Sequence, residues 1–348
     1  MRRFRMSTGL VLFAVVVLTC AGIDLLSRNS RFTQFTESRE LERFKSGSGL
    51  FMNRGAFVDF EDRLLLEEIP STDFARGGAF FFGTSSMKWG LKTWEMDPAT
   101  RALVHNFGMG ATNHRFVAQF IRYLVEHEGM LRAGSSNVHV VLGCYWTMIT
   151  DWGETGYFSR LWDRHGLFLH DEIHGIEPAD LGVFRRKLRI EQARLSGFVS
   201  VNTWRMARYL AASAGIREGQ REQVEIRRRA IQWAKWASVP NSERELRTEL
   251  AALRALLSYL GEKGVGVTIV LLPTSTIYDE LPLPQEYRAK LGTVADENQV
   301  TFVDLSRLLN DDEYYDLHHA NYRGLGKQHE ALISLVRPHL ERLMAPRR

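Results

Sequence analysis

One uninterrupted apolar run that ends in glycine and hydroxyl residues constrains the fold more than any other stretch of the chain. Residues 79–82 read Ala-Phe-Phe-Phe, and Gly83, Thr84, Ser85 and Ser86 follow directly. Apolar side chains at consecutive positions are typical of a strand buried on both faces, as in a parallel sheet covered by helices. Parallel α/β sheets place their chemistry at the carboxyl ends of the strands. The run therefore predicts either a nucleophilic Ser85 at the active edge or a serine that only caps the next helix.

The same kind of pattern recurs along the chain and predicts an α/β fold. Apolar runs alternate with stretches whose apolar residues recur every three or four positions, which is the period of an amphipathic helix. The hydrophobic content of 45% is sufficient for a packed core. We predict strands at residues 79–83, 102–106, 137–143, 265–272 and 300–304, and helices at 113–128, from 242 to about 261, and from 324 onward.

An uncharged segment near the N-terminus predicts a membrane anchor. Residues 6–23 carry no charge and stand between Arg5 and Asp24. As a helix, this segment would reach about 27 Å, close to the thickness of the bilayer's hydrocarbon core. The arginines before it favour a cytoplasmic N-terminus. We therefore expect a single-pass protein of a bacterial inner membrane, with residues 1–26 as the anchor, 27–75 as a stalk, and the rest periplasmic or extracellular. The alternative is a cleaved signal peptide.

The α/β alternation stops at residues 145–240, which we predict to form a helical insertion at the active edge of the sheet. Aromatic residues crowd its start, and arginines follow. Tyr145 and Trp146 are the candidate substrate contacts, although aromatic clusters also form by core packing. His165, His170 and His174 match no metal-ligand spacing, so we predict no metal and no cofactor.

The charge distribution gives no indication of nucleic-acid binding, and the cysteines give none of an internal disulfide. The net charge of +4 is small for 348 residues, and the basic residues are not organised around a nucleic-acid-binding motif. Cys20 lies in the apolar N-terminal segment, so Cys144 has no partner in the rest of the chain, and we expect no internal disulfide there.

A second polar motif stands before the last predicted helix. Asp316 precedes His319 by three residues in a loop that enters that helix. This spacing allows the carboxylate to bind one imidazole nitrogen while the other nitrogen faces outward. A polar loop with a surface histidine is the alternative. Together with a serine on the same edge of the sheet, the motif predicts a Ser85-His319-Asp316 triad.

The order of these motifs resembles that of the SGNH/GDSL hydrolase superfamily. Residues 83–85 (Gly-Thr-Ser) correspond to its Gly-Asp-Ser block, which implies Ser85 as the nucleophile. Residues 316–319 match its C-terminal Asp-x-x-His block, which implies His319 as the base and Asp316 as its orienting acid. Residues 106–112 resemble the second block, which implies an oxyanion-hole N–H from Gly110, or alternatively from Gly108. The resemblance implies a flavodoxin-like domain of three α/β/α layers at residues 76–346.

The third block of that superfamily departs from its pattern in this chain. Where the family has Gly-x-Asn-Asp, residues 143–146 read Gly-Cys-Tyr-Trp. The asparagine that donates to the oxyanion is therefore absent or supplied from elsewhere, with Asn113 as the candidate. Loss of one such donor typically lowers the rate by about 10²–10³-fold.

Membrane-anchored relatives that transfer acyl groups to cell-envelope polymers also depart from these blocks, and the predicted function is taken from them. These relatives include the alginate O-acetyltransferase proteins and the D-alanyl transfer protein of teichoic acid modification, and residues 272–282 are similar to a stretch of the alginate group. The resemblance implies an O-acyltransferase that moves an acyl group, acetyl for example, from an acyl donor to a cell-envelope or exported polysaccharide. Its partner would be a multi-spanning membrane O-acyltransferase. The alternatives are an esterase or deacetylase that uses water, and a non-catalytic glycan-binding or assembly subunit.

Overall fold

A computed structural model describes residues 64–110, 112–149, 166–171, 175–193 and 242–345, together with isolated positions between 15 and 45 and between 195 and 232. Among these residues, no helix combines the length and the apolarity needed to span a membrane. The anchor predicted at residues 6–23 lies mostly outside the described residues.

The centre of the protein is a five-stranded sheet in which all neighbouring strands are parallel. The strands of the described residues are β1 (Gly78–Gly83), β2 (Val104–Asn106), β3 (Val138–Cys144), β4 (Phe168–Asp171), β5 (Gly175–Pro178), β6 (Gly266–Leu271) and β7 (Thr301–Asp304). The spatial order of the five-stranded sheet is β2-β1-β3-β6-β7, which is the flavodoxin-like order 2-1-3-4-5 when only the strands of this sheet are counted. A smaller sheet pairs β4 with β5 in antiparallel fashion.

Helices cover both faces of the large sheet. They are α1 (Ser85–Lys88), α2 (Pro98–Arg101), α3 (His114–Glu126), α4 (Ser242–Glu262), α5 (Pro282–Glu297) and α6 (Tyr322–Met344). Phe80 and Phe82 of β1 pack into the core that α3, α4 and α5 form, whereas Phe81 packs against α6 on the opposite face. Because every residue of β1 is buried, the strand has the continuous apolar sequence that predicted it.

The described part of the insertion differs from the helical prediction. A short 3₁₀ turn (Trp146–Ile149) is followed by the β4–β5 hairpin, and residues 183–193 then form a helix. The hairpin packs its Phe168 and Ile176 into the main core, so burial rather than helical periodicity determines those apolar positions.

The predicted stalk also differs in part from the structure. Phe44 is only 3% exposed, and it packs with Leu309, Tyr314 and Leu325. Nearer the sheet, a π-helical turn (Leu64–Glu68) continues into the short helix Ile69–Ser71, and Leu64, Leu65 and Ile69 join the main core. Parts of residues 27–75 therefore pack against the α/β domain.

Candidate active site

Ser85 stands on a sharp turn between β1 and α1. Gly83 ends the strand with a φ of 148°, and a Cβ at this position would collide with the backbone carbonyl of Gly143 on β3. Thr84 is the helix N-cap, and its side chain accepts a hydrogen bond from the N–H of Ser86 at 3.3 Å. The capping alternative for Ser85 is therefore wrong, since Thr84 has that role. Ser85 is the first residue of α1 and is half-buried.

The three residues predicted to form a triad lie in hydrogen-bonding contact. The Nε2 of His319 lies 2.8 Å from the Oγ of Ser85. On the other side of the ring, the Nδ1 of His319 lies 2.6 Å from the Oδ2 of Asp316. A proton on Nδ1 therefore leaves Nε2 as the acceptor for the serine hydroxyl. This is the arrangement of a nucleophile, a general base and an orienting acid, joined across 234 residues of sequence between Ser85 and His319.

Asp316 also organises the loop that carries the histidine. Its Oδ1 accepts hydrogen bonds from the backbone N–H groups of His318 at 2.9 Å and His319 at 2.8 Å. Burial by itself raises the pKa of this carboxyl, but the neighbouring His318 and His319 and the hydrogen bonds they donate outweigh burial and hold the pKa well below its usual value. Asp316 is therefore ionised at neutral pH and directs the protonated nitrogen of His319.

A second histidine, which the sequence did not single out, lies against the first. The ring centroids of His318 and His319 are 4.0 Å apart, and the ring of His318 stacks on Tyr145 at a centroid distance of 5.2 Å with an interplanar angle of 19°. Burial lowers the pKa of His318 to about 4, against the opposing effect of Asp316. His318 is therefore neutral at physiological pH.

The groups predicted to bind the oxyanion differ in the hydrogen bonds that they already make. Ser85 N–H is at the start of α1, where no intrahelical acceptor exists, and no described residue accepts a hydrogen bond from it. Gly110 lies half-buried in the loop after β2. The N–H of Gly108 donates to Oδ1 of Asn106 at 3.1 Å, so it is already engaged in this structure, and its role as the alternative donor stays a prediction. Asn113 caps α3 through its Oδ1, which accepts from Phe116 N–H at 2.8 Å, and its Nδ2 donates to no described residue.

Tyr145 and Trp146 follow the carboxyl end of β3, beside the nucleophile's strand. Both side chains are buried, at 1% and 2% exposure. Their aromatic neighbours are Tyr278 and, for Tyr145, His318. Direct contact with a substrate, predicted from the sequence, stays a prediction for both residues.

Side chains outside the Ser85-His319-Asp316 group also hold α1 in place. Asn106 donates from Nδ2 to the carbonyls of Met87 at 3.3 Å and Lys88 at 3.0 Å, which ties the end of β2 to α1. Ser86 donates from Oγ to the carbonyl of His318 at 3.1 Å, which ties α1 to the histidine loop. A hydroxyl or amide beside a motif gives no sequence signal for such contacts, because the partners are distant along the chain.

One group in the described part of the chain has the donor set of a metal site, and it coincides with the triad. The possible ligand atoms of Asp316, His318 and His319 lie within 4.8 Å of one another. Both ring nitrogens of His319 already lie within hydrogen-bonding distance of Ser85 and Asp316. The side chains of His165, His170 and His174 lie outside the described part of the chain.

A protein-family model matches residues 130–341, which is more than half of the chain. The matched residues include Asp316, His318 and His319 and begin after Ser85. No curated protein matches the sequence.

Two solved structures are similar in part. A protein from Bacteroides fragilis that is described as an acylhydrolase is 11% identical, with a TM-score of 0.41 over 81% of this chain and 99% of that protein. A GDSL-like lipase from Bacteroides thetaiotaomicron is 9% identical, with a TM-score of 0.40 over 82% of this chain and 98% of that protein.

Proposed function

We propose that this protein is a serine-dependent acyl-ester enzyme that works through an acyl-enzyme on Ser85. The observation that carries the proposal is the continuous contact from Ser85 Oγ to His319 Nε2 and from His319 Nδ1 to Asp316. A serine is a weak nucleophile at neutral pH unless an oriented base takes its proton. The three residues meet that requirement, with Ser85 and His319 half-buried and Asp316 buried behind the histidine.

The first half-reaction follows from this geometry. Ser85 Oγ attacks the carbonyl carbon of an acyl ester while His319 Nε2 takes the hydroxyl proton. The carbonyl oxygen becomes an oxyanion, for which the N–H of Ser85 and that of Gly110 are the proposed donors. Collapse of the tetrahedral intermediate breaks the ester bond, and the leaving alcohol takes the proton from His319. The acyl group is then esterified to Ser85.

The second half-reaction depends on the acceptor. A hydroxyl group gives its proton to His319 and attacks the acyl carbon; the bond from that carbon to Ser85 Oγ then breaks, and His319 returns the proton to Oγ. We propose a sugar hydroxyl of a cell-envelope or exported polysaccharide as this acceptor, an acyl or acetyl unit as the group transferred, and a multi-spanning membrane O-acyltransferase as the donor's source. The resemblance of the sequence to membrane-anchored acyltransferases supports this choice. With water as the acceptor, the same steps describe an esterase or deacetylase.

We also propose that residues 6–23 anchor the enzyme in a bacterial inner membrane, with the catalytic domain on the periplasmic or extracellular side. The absence of charge over the segment and the arginines before it support this placement. Cell fractionation, with protease protection of the C-terminal domain, tests it. A chain recovered in the cytosolic fraction would refute it.

The purified full chain tests the chemistry. We expect a fluorophosphonate probe to label the wild type and Ser258→Ala, a matched change at an exposed serine of α4, but not Ser85→Ala. Incubation with an acetyl ester and an oligosaccharide should give O-acetylated oligosaccharide. Release of acetate alone, with or without the oligosaccharide, would identify a hydrolase instead. Absence of labelling in the wild type would reject the catalytic proposal in favour of a non-catalytic glycan-binding or assembly subunit.

A further inference from the structure

His318 contacts every part of the triad's framework without belonging to the triad. Its backbone N–H donates to Asp316, and its carbonyl accepts from Ser86, the residue after the nucleophile. Its ring lies against the ring of His319. A single residue therefore joins the elements that carry the nucleophile, the base and the acid.

The ring stack connects the histidine loop to the rigid sheet. His319 lies between the isolated bridge residues Tyr314 and Ala320, on a loop that belongs to no helix and no strand of the main sheet. Tyr145 comes directly after β3, a central strand, and is 1% exposed. Its face supports His318 at 5.2 Å, and His318 in turn lies 4.0 Å from His319. Side chains that are locked by packing on a regular element hold catalytic groups more firmly than a loop alone.

His318 does not compete strongly with His319 for the shared carboxylate. Its Nδ1 is buried and lies 3.6 Å from Asp316 Oδ1, which is outside hydrogen-bonding range, whereas His319 Nδ1 lies 2.6 Å from Oδ2. Burial keeps His318 neutral, since its pKa is lowered to about 4. The second imidazole therefore acts on its neighbour by shape and contact rather than by charge.

We propose that His318 is a positioning residue, whose ring, held face to face on Tyr145, fixes the imidazole of His319 between Ser85 and Asp316. This inference rests on the proposed function. It also gives a role to Tyr145, which stands at the position where the resembled superfamily has an asparagine. A displacement of about 1 Å in a reacting group can lower the rate about 10²-fold, so support of this kind is worth a measurable part of kcat.

Four variants of the full chain test the proposal with p-nitrophenyl acetate as the probe substrate. His318→Ala and Tyr145→Leu remove one ring each, whereas His318→Phe and Tyr145→Phe keep a flat ring. We expect the first pair to lower kcat about 10–100-fold with KM changed less than about 3-fold, and the second pair to stay within about 3-fold of wild type. The value of kcat is taken per folded site, counted by complete fluorophosphonate titration, so that partial unfolding does not lower it.

A second readout does not require catalysis. The proton between His319 Nδ1 and Asp316 should give a downfield NMR resonance in the wild type and in His318→Phe. We expect the resonance to broaden or disappear in His318→Ala, because a loosened ring exposes that proton to exchange.

The two readouts distinguish the possible failures. Wild-type kcat per site in His318→Ala would overturn the positioning role. An equal loss in His318→Phe and His318→Ala would overturn it as well, since the imidazole itself would then be required. A wild type that neither turns over the ester nor reacts with fluorophosphonate rejects the proposed function, and the NMR resonance still decides whether His318 positions His319.

Discussion

Replacing Asp316 by asparagine should abolish catalysis while leaving the loop in place. The Oδ1 of Asp316 accepts two backbone N–H groups, and Oδ2 lies 2.6 Å from His319 Nδ1. An asparagine can keep the first two hydrogen bonds through its carbonyl oxygen. Its NH₂ group would then face His319 Nδ1, and two donors cannot pair. The imidazole would shift its proton to Nε2, which could no longer accept the proton of Ser85.

The expected loss in kcat is about 10⁴-fold, as for the equivalent change in a Ser-His-Asp protease. At about 1.36 kcal/mol per decade, this corresponds to about 5 kcal/mol of transition-state stabilisation. The assay is hydrolysis of p-nitrophenyl acetate and the rate of fluorophosphonate labelling, both per folded protein. Because the backbone hydrogen bonds remain, Asp316→Asn should still fold at neutral pH, and its loss of unfolding free energy should be smaller than the roughly 5 kcal/mol lost from the transition state.

Asp312→Asn provides the matched control on the same segment. Its carboxylate is 64% exposed and pairs with Arg323 at 3.4 Å, so the change should leave the rate within about 2-fold and stability within about 0.5 kcal/mol. If Asp316→Asn kept more than a tenth of the wild-type rate, the assignment of Asp316 as the orienting acid would be refuted.

Three further predictions concern the framework of the site. Asn106→Ala removes the side-chain partner of the Gly108 N–H and of the Met87 and Lys88 carbonyls. The free energy of unfolding in urea should therefore fall by about 1–3 kcal/mol, and the fluorophosphonate should label Ser85 more slowly. An unchanged urea midpoint would contradict this. Gly83→Ala forces β1 away from the Gly143 carbonyl and should prevent folding or lower the free energy of unfolding by more than the roughly 1 kcal/mol expected for Gly134→Ala. At Gly134 φ is also positive, but an added Cβ meets nothing within 4 Å. Equal shifts in the thermal unfolding midpoint of Gly83→Ala and Gly134→Ala would disprove the close approach. Acid should remove the stability contributed by Asp316, because its pKa is depressed in the folded state. The contribution is complete above the unfolded pKa of about 3.9 and is lost as pH falls through the folded pKa. The difference in unfolding free energy between wild type and Asp316→Asn should therefore shrink between pH 7 and pH 3, and a constant difference would contradict this.

The strands and the order of the site motifs were readable from local sequence. The run at residues 79–83 predicted β1, and the valine-rich run at 137–143 predicted β3 within one residue at each end. Such runs are readable because a strand buried on both faces must be apolar at each position, whatever its neighbours are. Helix α5 was missed, because two prolines and scattered charged residues in Pro282–Glu297 obscure the helical period. Its formation depends on the core into which Tyr287 and Leu291 pack.

The site shows the same division. The residue types and their order determined that Ser85, Asp316 and His319 are the candidates, since a nucleophile, a base and an acid are chemically distinctive. Only the tertiary structure decided that Thr84 is the helix cap, that the Gly108 N–H is engaged by Asn106, and that His318 lies between Tyr145 and His319. The contact of Tyr145 with His318 joins residues that are distant in the chain, and the contacts of Thr84 and Asn106 decide which of several neighbouring groups takes one role. Their energies depend on distances of a few ångströms that the pattern of residue types does not encode.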